Sequence, residues 1–266
     1  MTSLILIFVD LLIAMVIPST IVLGLTYINR NTKKILVNNY GFNSQVYFGF
    51  LGIIVHETSH MLAALLFGHQ IVEFKPLVLP KNVARNGGAL GYVNQRWNTN
   101  STYQNIGNLF IGTAPIWGCT FVLYLLTKLT MPNLYQFILK LEKAMATMNL
   151  DSIRSVISNM NLFNNIDGIS LLISVFGLIL MTNIVIGGFD LSSNDLKNAL
   201  GAFIAFYIFF IVILSALVFF GFGVQVNNFL VKLMATFVSI MGLSIFLSLL
   251  INLILRFLNF LSRFRD

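Results

Sequence analysis

The sequence predicts an all-α polytopic membrane protein of about six transmembrane helices, with a small membrane-associated β segment after the helix that carries an H-E-x-x-H motif. Three observations predict it. Of 266 residues, 57% are hydrophobic and 9% charged, with mean hydropathy +0.86, whereas soluble domains carry about 25% charged residues. Apolar runs of membrane-spanning length recur along the chain. One stretch, residues 70–97, breaks that rhythm with prolines, glycines and alternating side chains. The length suits a single membrane domain, 1–266, with no room for a large soluble one. Within it a core is expected over about 42–200 and C-terminal helices over 199–260.

The net charge of +7 is not a nucleic-acid signal, because the basic residues are scattered through loops and the tail. That pattern suits anionic lipid headgroups, so the bilayer is the expected surrounding. Positive charges divide almost evenly between alternate loops and leave the orientation open. The single cysteine, Cys119, excludes an intramolecular disulfide.

In chain order, residues 4–28 form the first span, containing Asp10 and Pro18. The N-terminus lacks a positive n-region and a small-residue cleavage site, so it reads as a retained span rather than a removed signal peptide. Asp10, one carboxyl near a helix end, suits the interface better than catalysis. Arg30, Lys33 and Lys34 read as a short basic loop. Residues 42–67 are the motif helix, closed by Gly68 as a C-cap. Residues 71–80 look extended and interrupted by proline, and 86–94 read as a turn followed by a strand. Such a strand edge could pair with an unwound substrate segment, or form an ordinary hairpin.

Residues 106–129 form the next span. Gly107, Gly112 and Gly118 permit close helix packing, and Pro115 predicts a kink. Over 133–165, apolar residues recur at three- and four-residue steps, as in one or two amphipathic interfacial helices. Further spans are expected over 168–188, 199–222 and 231–255, followed by Arg256, Arg263 and Arg265.

The chemistry concentrates in Val55-His56-Glu57-Thr58-Ser59-His60. Residues four apart on a helix leave the same face, so both imidazoles can reach one Zn²⁺ at about 2.0–2.1 Å. Glu57 follows the first ligand, where it can act as general base toward a water at the open metal position. The competing reading is a structural polar cluster. With three His and three Glu in the chain, chance gives the motif roughly 0.0004 times. Each ionisable group at membrane depth costs about 2.5 kcal/mol or more. His69 lies nine residues past His60 rather than six, which does not fit the extended zinc pattern.

A catalytic zinc site needs a third protein ligand. Outside loops and tails the candidates are Asp190 and Asp195. Asp195 follows Ser192-Ser193-Asn194 and could equally cap a helix.

The chain resembles the site-2 protease (M50) superfamily of intramembrane zinc metalloproteases, in particular its small members in Gram-positive bacteria. The resemblance rests on Val55–His60, Gly68-His69-Gln70-Ile71, Gly88-Ala89-Leu90-Gly91-Tyr92-Val93, Ile106–Pro115 and Leu191–Lys197, across roughly residues 50–200. It implies a multi-pass protein of the bacterial cell membrane with a three-helix catalytic core. His56 and His60 would bind zinc, Glu57 would be the general base, and an Asp near 190–195 would complete the site. Better-known members carry an N-x-x-P…L-D-G pattern, which Asn183…Phe189-Asp190-Leu191 only echoes. Ser192…Asp195 matches the smaller relatives better, so the expected ligands are His56, His60 and Asp195, with Asp190 second. No insertion of PDZ size is present. The expected activity is zinc-dependent cleavage of a membrane protein or peptide. The alternatives are a non-proteolytic transporter or metal-binding accessory protein, and a degenerate protease acting as a partner, against which the intact His56, Glu57 and His60 argue.

Overall fold

The computed structural model describes residues 2–147, 149–161, 167–192, 194, 195, 197, 208 and 211–262. It is mostly helical, with one two-stranded sheet. Among the described residues, four helices are long and apolar enough to cross a membrane: Ser44–Leu66, Thr102–Thr130, Gly168–Gly188 and Gly223–Leu261. They answer to the spans expected over 42–67, 106–129, 168–188 and 231–255. The span expected over 4–28 lies within α1 (Thr2–Tyr40), where the side chains of residues 1–19, Asp10 and Pro18 included, lie outside the described part. Of the span expected over 199–222, residues 211–219 are helical and most of the rest lies outside the described residues, as do Arg263 and Arg265.

One expectation is corrected. Arg30, Lys33 and Lys34 do not form a loop, because α1 runs through them without a break. Between Asn29 and Val37 there is no glycine or proline to stop a helix. The apolar neighbours Leu25 and Leu36 are fully buried, so this polar stretch is packed against protein. The helix stops at Gly41, whose φ of 80° is costly for residues with a side chain.

The chain forms two compact units. One comprises Met1–Ile21, Leu123–Ile179 and Tyr207–Leu243. Here the periodic stretch 133–165 resolves into two packed helices, α5 (Pro132–Ala146) and α6 (Leu150–Ser158). Asn149 caps α6 by accepting the Asp151 N–H at 2.9 Å. The buried Glu142 accepts from Thr236 Oγ1 at 2.8 Å.

The other unit comprises Val22–Val122, Leu180–Phe206 and Ser244–Asp266. Its centre is the motif helix α2 (Ser44–Leu66), with α4 (Thr102–Thr130) and the end of α7 (Gly168–Gly188) packed against it. Glycines decide how closely. A Cβ on Gly52 would stand 2.5 Å from the backbone nitrogen of Gly188 and 2.6 Å from the Ile184 carbonyl. A Cβ on Gly107 would stand 2.5 Å from Phe67 Cβ, and one on Gly118 would strike Ser59. Backbone thus touches backbone where α2 meets α7, as small residues allow between membrane helices. Gly68 ends α2 at φ 72°, and His69 N–H reaches back to the Ala64 carbonyl at 2.9 Å.

The chain then pairs β1 (Gln70–Lys75) with β2 (Tyr92–Arg96) in antiparallel fashion, with an irregularity between Ile71 and Glu73. The connection carries a helical turn, α3 (Pro80–Val83), followed by a 3-10 turn at Ala84–Asn86. Val78 and Val83 bury themselves with Val46 of α2, and Leu77, Leu90 and Tyr92 pack around them. This apolar knot holds the sheet beside the motif helix.

Candidate metal centre

His56 and His60 leave the same face of α2, and both are buried. Each imidazole is fixed by a backbone carbonyl that the helices leave free. His56 Nδ1 donates to the Gly188 carbonyl at 2.8 Å, one of the last four carbonyls of α7, which have no partner within their own helix. His60 Nδ1 donates to the Ile111 carbonyl at 2.7 Å. In a regular helix the N–H of residue 115 would take that carbonyl, but residue 115 is proline and has no N–H. A carbonyl can only accept, so each Nδ1 carries its proton and each Nε2 faces inward. The two Nε2 atoms are 3.1 Å apart.

Pro115 was expected to bend α4; its i−4 relation to Ile111 adds a second role that the proline rule makes legible in the sequence. Replacing Pro115 with Ala restores a competing N–H. Zinc affinity is expected to fall about tenfold, in line with the loss of other groups that orient metal-binding histidines. Chelator competition on the purified protein measures it.

The third group arrives from beyond α7. Asp195 Oδ1 lies 3.3 Å from His60 Nε2, and Oδ2 lies 3.8 Å from His56 Nε2. The same carboxylate caps its own turn. Ser192 N–H donates to Asp195 Oδ2 at 2.7 Å, and Asp195 N–H donates to Ser192 Oγ at 3.1 Å. The capping and ligand readings of Asp195 therefore do not compete, since a carboxylate has lone pairs enough for both. Burial works to raise this carboxyl, but the facing imidazoles and Ser192 outweigh it and hold it well below the usual carboxylate range.

Asp190 goes elsewhere. Its carboxylate takes Lys33 Nζ at 2.8 Å and Arg30 Nε at 3.0 Å. Burial raises it, and the two cations bring it below its ordinary 3.8. Arg30 and Lys33 are site neighbours that the sequence reading placed in a loop; only their four-residue phase with Thr26 and Asn29 on α1 could have hinted at a shared polar face. His69 also stays apart. It is buried, donates Nε2–H to the Gln104 carbonyl at 2.9 Å and stacks on Trp97.

The centre opens into a cavity of about 570 Å³. Glu57 lies half-buried in its wall beside the two imidazoles. Residues 90–95, at and just before β2, form the facing wall. Gly91 lets that arm approach, since a Cβ there would stand 2.7 Å from Glu57 Cγ. β2 pairs with β1 on one side, and among the described residues its other edge has no partner strand.

The residues fit a zinc ion. Two imidazole nitrogens and one carboxylate are a set that zinc accepts, and each imidazole has its other nitrogen committed to a carbonyl. Ligand atoms about 2.0–2.1 Å from a tetrahedral ion stand roughly 3.3–3.4 Å apart. Here the two Nε2 atoms stand 3.1 Å apart, Asp195 Oδ1 lies 3.3 Å from His60 Nε2, and Oδ2 of the same carboxylate lies 3.8 Å from His56 Nε2. Electron-rich atoms so placed repel one another unless a cation or a shared proton lies between them. Among the described residues, this is the one group of three or more such side chains able to hold a metal ion. No family model, curated protein or solved structure matches the chain.

Proposed function

We propose that the chain is an intramembrane zinc metalloendopeptidase that cleaves a membrane protein or peptide. The observation that carries this reading is the convergence of His56, His60 and Asp195 on one point of a cavity that also holds Glu57. The resemblance to site-2 proteases supports it. His56, His60 and Asp195 would hold the metal, the three protein ligands that a catalytic zinc needs. Zinc, when bound there, supplies Lewis-acid polarisation of the scissile carbonyl and a more acidic water. Glu57 takes the proton from the attacking water and returns it to the leaving amine. Tyr92–Gln95 of β2 line the cavity, and backbone N–H and C=O groups of a strand edge there would hold an extended substrate. Gly91 keeps that strand close to Glu57. In this reading, spans over 4–28 and 199–222 join the four described helices to make six, in a bacterial cell membrane.

The purified protein in proteoliposomes, given single-span model peptides, tests the proposal. Cleavage should disappear with a zinc chelator and return with added zinc. Metal-dependent ion flux without cleavage would move the protein to the transporter reading.

A further inference from the structure

The three metal-binding side chains differ in how they are held. His56 and His60 stand on one rigid helix. Asp195 stands on a separate arm that begins where α7 ends, and residues 189–192 of that arm are not helical. Such an arm has many conformations, and fixing each residue costs about 1–2 kcal/mol. Something outside it has to set its course.

That element is α1. Asn29 Nδ2 donates to the Val185 carbonyl at 2.8 Å, and Thr26 Oγ1 donates to the Phe189 carbonyl at 3.2 Å. Arg30 Nη2 donates to the Leu191 carbonyl at 2.8 Å, while its Nε and the Lys33 ammonium grip the two oxygens of Asp190. Positions 26, 29, 30 and 33 form one face of a helix. Together they take up carbonyls that the end of α7 leaves unpaired and the one carboxylate on the non-helical arm. α1 is braced in turn by the last helix, Gly223–Ser262. Ser248 donates to Asn29 Oδ1 at 2.5 Å, and Asn252 Nδ2 donates to Thr32 Oγ1 at 2.8 Å.

We propose that Arg30, Lys33 and Asp190 are positioning residues for the metal centre: a clamp from α1 that sets where the Ser192–Asp195 arm presents its carboxylate. The inference rests on the metal-centre reading above. The Lys33–Asp190 pair is largely buried, and a buried ion pair adds little net stability because desolvation offsets its attraction. What it adds is direction. Lys33 and Arg30 bind opposite oxygens of Asp190, so the carboxylate cannot rotate, and the chain leaves it toward Ser192 on a fixed course. Ser192 then holds Asp195 through the reciprocal pair of hydrogen bonds. Asp190 is therefore a carboxylate spent on placing another.

The test compares wild type with the double variant Lys33→Gln/Asp190→Asn, which keeps a hydrogen-bonding pair and leaves no unpaired buried charge. Lys33→Arg serves as the conservative rescue. Asn149→Ala, which removes the cap of α6, serves as a control for a general loss of stability. Zinc affinity is read by chelator competition, and the ligand set by the visible absorption of the Co²⁺-substituted protein. The double variant should lose about 10- to 100-fold in zinc affinity, the range for groups that orient ligands. Its cobalt spectrum should shift toward that of Asp195→Ala. Lys33→Arg should keep both near wild type, and Asn149→Ala should lower the thermal midpoint with zinc affinity within about twofold of wild type. Wild-type affinity and an unchanged cobalt spectrum in the double variant would overturn the clamp while leaving the metal centre standing. A wild type that binds neither metal would overturn the metal centre itself, and the clamp with it.

Discussion

Glu57→Gln is expected to abolish cleavage while the protein still binds about one zinc. The amide keeps the size and shape of the carboxylate, so the packing of Gly91 against it is undisturbed. None of His56, His60 and Asp195 changes, and the carbonyls of Gly188 and Ile111 still hold both imidazoles. What disappears is the ability to accept a proton. General-base catalysis contributes about 10²- to 10⁴-fold, so the rate should fall by at least about a hundredfold. The paired measurement is turnover of a model peptide in proteoliposomes beside elemental zinc on the same preparation. Turnover within about threefold of wild type would remove Glu57 from the chemistry.

Gly52→Ala should damage both stability and the centre. The new methyl would meet the backbone of α7, at the Gly188 nitrogen and the Ile184 carbonyl, with no flexible side chain to yield. The helices must then separate. The Gly188 carbonyl, which orients His56, sits at this contact. Overpacking of this kind costs about 1–3 kcal/mol, and zinc affinity should fall about tenfold or more with the loss of the His56 anchor. Gly24→Ala is the matched control. It also lies in a helix, nothing stands within 4 Å of its Cβ, and it should leave stability unchanged or raise it by up to about 1 kcal/mol. Thermal midpoints and chelator competition on the two variants separate the contact from a general effect of alanine.

The parts of this fold that were legible in the sequence are those set by local pattern. α7 occupies 168–188 as expected, because a strongly apolar run without a charged residue stands between Asp167 and the Gly187-Gly188 pair. The two strands were legible from alternation and glycine, but their register was not, since the irregularity between Ile71 and Glu73 has no local signature. The continuation of α1 through Arg30 and Lys33 was missed for a different reason. A basic stretch reads as solvated until its partner is known, and Asp190 is 157 residues from Lys33.

The same limit applied at the centre. His56, Glu57 and His60 declare themselves by helical spacing. Asp190 and Asp195 both follow the end of α7, and local sequence offers each a role. Tertiary neighbours separate them: cations from α1 surround Asp190, and the imidazoles face Asp195.

Zinc per protein by elemental analysis, on the detergent-purified wild type beside His56→Ala and Asp195→Ala, tests the central claim most directly. About one zinc in the wild type, lost in both variants while each remains folded, is the expected result. A folded wild type that holds no zinc even after metal is added would contradict the metal centre and every step built on it.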